Sequence, residues 1–208
     1  MQTQSHFLIT AFGADKFKQN SPIPLHARAL LIGSVLPDLP FWLLTIFGEL
    51  YFLYVAPLPG VGRGATAMQI MEYLHFDRFF NDPLWIISHN FFHSLIINTL
   101  LIGLGWWLWR NRKRWGLMLF WLAISTQIHT FIDIFTHSSD GPLLFFPLNW
   151  TYRFQSPVSY WESDSYGYVF IVFEYLLDTL ILGYFGLKWL RRRTHTDVST
   201  DLKRKLQP

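Results

Sequence analysis

His129-Thr130-Phe131-Ile132-Asp133-Ile134-Phe135-Thr136-His137 places three candidate metal ligands at positions i, i+4 and i+8. On an α-helix each four-residue step turns about 400°, so the three drift by only about 80° and share one face. The preceding residues, Trp115 to Ile128, are nearly all apolar. A histidine–carboxylate stripe ending such a run is costly in a bilayer unless something binds it. The stretch therefore reads either as a ligand set or as polar groups hydrogen-bonded inside a helix bundle.

Composition decides the surroundings. Apolar residues make up 51% of the 208-residue chain, charged residues 15%, and aromatics 19%, with ten Trp. A water-soluble domain carries about a quarter charged residues, so a membrane protein is expected. There is no Cys, which removes disulfides and thiolate metal sites and leaves His, Asp, Glu and water as ligands. The net charge of +3 is modest and its basic residues cluster. They read as a topology signal rather than a nucleic-acid footprint, and no nucleic-acid partner is expected.

Outward from the stripe, three runs are long enough to cross a bilayer: Leu84 to Trp109, Trp115 to Phe135 and Tyr168 to Leu190. Between the last two lies an irregular segment, 138 to 167. Before residue 84 the pattern is less regular. Phe7 to Phe12 is too short to span, and no basic residue precedes it, so it is not expected to be a signal peptide. Helical character runs from Leu25 to Leu36, breaks at Pro37-Asp38 and Pro40, and resumes from Phe41 to about Val55. Pro57, Pro59, Gly60, Gly62 and Gly64 mark a loop, and 65 to 82 suit an interfacial amphipathic helix. The expectation is an all-α membrane protein. About four to five transmembrane or re-entrant helices would form one domain over residues 1–190, with a basic, disordered cytoplasmic tail at 191–208.

Eleven of the 17 basic residues fall in the Arg110 to Arg114 turn, at Lys188 to Arg193, or in the tail. The positive-inside rule puts those regions in the cytoplasm. His89 and His93 on the first span then share the outer half with His129, Asp133 and His137 on the second, and Glu174 on the third lies near the same depth. Convergence from three helices favours a metal site on the non-cytoplasmic side. His89 and His93, at i and i+4, could chelate one ion from one helix face. Ser94 reads as a donor to that site or as a hydroxyl bonded to its own helix. Glu174 is a further ligand, a general base or a buried polar group, with Asp178 a weaker candidate. Asp38 either points into a cavity at the helix break or caps the following helix. His26, His75 and His195 read as solvated.

Taken together, Ser5-His6, Gly33-Ser-Val-Leu-Pro-Asp38, His89-x-x-x-His93-Ser94 and His129-x-x-x-Asp133-x-x-Thr136, then Gly141 and Pro147, form an ordered set over roughly residues 5 to 150. The order resembles the YdjM/YbcI family of inner-membrane proteins, and more distantly the all-helical zinc-dependent phospholipase C group. The resemblance implies a bacterial inner-membrane location and a metal-dependent hydrolase, with His6, Asp38, His93, His129 and Asp133 at the metal. Two departures stand out: Asn90-Phe91-Phe92 replaces the Arg-Gly segment usual before the second histidine, and His137 is extra.

Three functions are weighed. The first is a membrane-embedded hydrolase that uses one or two divalent ions, Zn²⁺ expected, on a lipid or lipid-linked phosphoester at the outer face. Its metal ligands would be His6, Asp38, His89, His93, His129, Asp133 and His137, with Asp133 or Glu174 as base. The second is a metal carrier or sensor. It is disfavoured by the nearly polar-free stretches Leu100 to Trp109, Trp115 to Ala123 and Leu180 to Leu187. The third is a structural protein with a hydrogen-bonded polar core.

Overall fold

The computed structural model describes residues 1–18 and 21–205, with side chains described as far as residue 193. The chain forms helices α1 (Thr3–Phe17), α2 (Ala27–Gly33), α3 (Leu39–Tyr54), α4 (Ala67–Glu72), α5 (Phe79–Asn81), α6 (Pro83–Asn90), α7 (Leu95–Arg110), α8 (Gly116–Thr136) and α9 (Gly167–Lys205). A π turn, Tyr73–Arg78, joins α4 to α5, and a 3-10 turn, Ser163–Ser165, precedes α9. No strand occurs among the described residues. The architecture is all-α, as expected.

α8 and the stretch Gly167–Arg193 of α9 are each long and apolar enough to cross a membrane. The first expected span, Leu84 to Trp109, is not one helix: α6 and α7 meet at a 46° bend. The cause is local. Ser94 accepts a hydrogen bond from the Ile97 amide at 3.1 Å, so it starts a new helix instead of continuing the old one. Its hydroxyl donates to the Phe146 carbonyl at 2.5 Å. The Asn98 side chain takes up the Phe92 carbonyl, at 2.8 Å, that the break frees. His93 sits inside this break. The pairing of His89 and His93 on one helix face, as expected from their spacing, is therefore corrected: α6 ends at Asn90.

α8 is central. It packs against α7 on one side and α2 on the other, while α1 lies against α2 and α9. Small residues permit the close approach. A Cβ on Gly33 would stand 2.4 Å from the Leu122 carbonyl oxygen, and one on Gly105 would stand 2.5 Å from the Phe120 nitrogen. The helix expected over 65 to 82 forms over residues 67–81, with a π turn in its middle and Ile70, Leu74 and Phe79 as its buried positions. It is opened by a Thr66–Gln69 capping box. Ile70 and Leu74 form a core with Leu58 and Trp85, packed on Phe41 and Leu44 of α3.

The outward faces are apolar: Phe173, Leu176 and Leu180 of α9 are 60–72% exposed, as suits helices lying in lipid. Residues 138 to 162 fold back as a strap. Leu143 donates its amide to the Asn90 side chain at 2.7 Å, and Tyr160 donates its amide to the Thr136 carbonyl at 2.9 Å. The tail expected from residue 191 falls mostly outside the described side chains, His195 included.

Candidate metal centre

Three segments deliver four side chains to one point. α8 brings His129 and Asp133, the α6–α7 break brings His93, and the turn before α3 brings Asp38. One ligand atom from each lies within 4.8 Å of all the others. The edges of the group are telling. His93 Nε2 and His129 Nε2 are 3.2 Å apart. Asp38 Oδ1 is 3.4 Å from each of them. Asp133 Oδ2 is 3.3 Å from His93 Nε2 and 2.9 Å from His129 Nε2. A tetrahedral ion with ligands at about 2.0–2.1 Å spaces them roughly 3.3 Å apart, so the donor set fits a dication.

The proton inventory supports the fit. His129 Nδ1 lies 2.8 Å from the Ser34 carbonyl oxygen and His93 Nδ1 lies 2.6 Å from the His89 carbonyl oxygen. A carbonyl only accepts, so each Nδ1 carries the proton and donates it. Both Nε2 lone pairs then face each other and two carboxylate oxygens. Four buried acceptors converging without a donor repel unless a cation lies among them. Asp38 starts α3 without capping it through its side chain, so of its two readings the structure takes the one that points it into the centre. Thr3 donates to its other oxygen at 2.5 Å.

Asp133 has a second side. Its Oδ1 is 2.8 Å from His6 Nε2 and 3.5 Å from His137 Nε2. The Met1 amine also donates to it at 3.0 Å. His6 is held in place by stacking on His129, with ring centroids 3.7 Å apart, and by its neighbour Ser5, which donates to Asp178 of α9 at 2.8 Å. His137, just past the end of α8, is fixed by Asp140 at 3.1 Å. His129 and Asp133 thus share one face of α8, and His137 reaches Asp133 from just past the helix end.

Other expected site residues stand apart from the four. His89 stacks on His93 at 4.5 Å and touches Phe41 and Phe79, with both ring nitrogens buried and unpartnered. Glu174 accepts from the Gln2 amide at 2.7 Å, so it anchors the start of α1. Ser94 is spent on the helix break. His75, expected in solvent, is half-buried, donates to the Met71 carbonyl at 3.0 Å and lies against Phe41. His26 accepts from the Ala29 amide and caps α2. Thr3, Asn90 and Tyr160, whose partners are distant in sequence, carry no spacing signal, whereas Asp140 stands only three residues from its partner His137.

A cavity of about 1210 Å³ adjoins the centre. Asp38, His89, His137 and Asp140 line one part of it, and Phe41, Met68, Met71 and Phe76 another. Of the four clustered residues, Asp38 is the one that also lines the cavity.

The family model described as YdjM inner membrane protein matches residues 1–195. No curated protein and no solved structure matches the chain.

Proposed function

As the chain belongs to the YdjM inner membrane protein family and buries a His/Asp group that could hold a metal ion, we propose that it is a membrane-embedded, metal-dependent hydrolase. Its substrate in this reading is a lipid or lipid-linked phosphoester at the outer face of the membrane. The observation that carries the reading is the set of Asp38, His93, His129 and Asp133, with ligand atoms within 4.8 Å of one another and Asp38 bordering a large, mostly apolar cavity. Zn²⁺ suits two imidazoles and two carboxylates. A second ion would be held by Asp133 Oδ1, His6 and His137. A dication bound here would polarise a phosphoryl oxygen and acidify water.

The protein's own groups have separate roles. The Ser34 and His89 carbonyls keep His129 and His93 in the tautomer that offers Nε2. Asp133 uses one oxygen for each half of the centre, while Glu174 holds the Gln2 amide through Oε1 and keeps a buried Oε2 without a partner. Asp38 borders both centre and cavity and is the carboxylate best placed to meet substrate. The proposed orientation is multi-pass, with the Arg110 to Arg114 turn and the C-terminus cytoplasmic.

The test is metal content by mass spectrometry on purified protein, with phosphoester release from phospholipid vesicles. Bound metal with metal-dependent release is the expected result. Bound metal without release would favour the carrier or sensor reading. Protein that holds no metal would leave the structural reading.

A further inference from the structure

The cavity is larger than its polar end needs. Its volume of about 1210 Å³ exceeds the roughly 300–1,000 Å³ of sites that enclose drug-sized ligands. Its walls are graded. His89 lies at the end nearest the metal centre, Phe41 packs on His89 at 5.7 Å and on His75 at 5.2 Å, and His75 is bonded to the Met71 carbonyl. Beyond stands an exposed apolar rim, with Met68 79%, Phe76 57% and Trp42 53% exposed. Among the described residues no Lys or Arg lines it.

His89 supplies an independent sign of a ligand. It is only 8% exposed, lines the cavity and has a partner at neither ring nitrogen. An unmet buried donor or acceptor is destabilising, and a bound polar group would relieve it.

We propose that the cavity is an alkyl-chain slot. A phospholipid from the surrounding bilayer sets its phosphate end beside Asp38 and His89 and lays one chain past Phe41 toward Met71 and Met68. The flexible thioethers of Met68 and Met71 adapt to a chain without fixed shape. The choice of phospholipid rests on the hydrolase reading, whereas occupation of the slot by a chain can be read without turnover.

The experiment uses the full chain in nanodiscs containing phosphatidylethanolamine with a diazirine on one acyl chain. Irradiation and peptide mass spectrometry map the adducts. Half-buried Phe41 and Met71 should be labelled as well as outward residues such as Phe173 of α9. Met71→Trp should lower labelling of Phe41 relative to Phe173 by about tenfold, because the larger ring fills the slot. Met71→Ala should preserve or raise it. Labels confined to outward residues, or Phe41 labelling that falls in Met71→Ala, would overturn the slot. Displacement by palmitate as effective as by lysophosphatidylethanolamine would overturn the phospholipid assignment. Expected labelling without phosphoester release would sink the hydrolase reading and leave the slot standing. Release without labelling of Phe41 would do the reverse.

Discussion

The Nδ1 of His129 lies 2.8 Å from the carbonyl oxygen of Ser34, so the last turn of α2 sets the tautomer of a ligand on α8. The contact depends on Gly33, where any Cβ would meet the Leu122 carbonyl at 2.4 Å. Gly33→Val should force α2 from α8, cost about 1–3 kcal/mol of stability and weaken metal binding about 10–100-fold. Thermal unfolding and chelator competition measure the two effects. A Gly33→Val protein with unchanged metal affinity would detach Ser34 from the centre.

His129→Ala and Asp133→Ala should each abolish bound metal and activity while the protein still inserts. Each removes a ligand atom from the group, and Asp133 also removes charge that a dication needs in a low-dielectric setting. Ser94→Ala should behave differently. It loses the cap on α7, at about 1 kcal/mol, and keeps its metal. Metal stoichiometry on membrane-extracted protein separates the cases, and a metal-replete Asp133→Ala protein would remove that residue from the centre.

The two oxygens of Asp133 face different histidines. His137→Ala touches only the side shared with His6, so the set of Asp38, His93, His129 and Asp133 should retain one tightly held ion. Loss of all metal from His137→Ala would show that the two sides act as one site.

Glu174→Ala should lower stability rather than metal content. The Gln2 amide at the start of α1 would lose its 2.7 Å acceptor, and leaving such a donor unmet costs about 1–3 kcal/mol. A stable but inactive Glu174→Ala protein would instead restore the base role for Glu174.

The chain has no Cys, so single cysteines report topology cleanly. Lys113→Cys and Arg192→Cys should resist a membrane-impermeant maleimide in intact cells and react after lysis. Labelling from outside at either position would invert the orientation.

Several features were legible because they are local. The placement of His129 and Asp133 on one face of α8 depends only on helical periodicity, and His137, just past the helix end, still reaches Asp133 at 3.5 Å. Pro37 and Pro40 marked a break through their missing N–H groups, and the break brings Asp38 into the site. The motif order over residues 5 to 150 pointed to the family that the match over 1–195 bears out. The bend at His93 was not legible. Leu84 to Trp109 is apolar enough for one straight span, and what ends α6 there is a hydroxyl bonded to Phe146, 52 residues on.

By itself, then, the sequence determined the all-α membrane class and most of the candidate ligand types, since periodicity, composition and proline chemistry act over a few residues. Tertiary structure decided which ligands meet. His93 and Asp38 join His129 and Asp133 because a helix break, a glycine contact and a backbone carbonyl from α2 hold them there. Glu174 faces the Gln2 amide because α1 packs on α9. The cavity exists because α3 and the π turn stand beside the centre. Each depends on distances between segments far apart in the chain, and no local spacing encodes those distances.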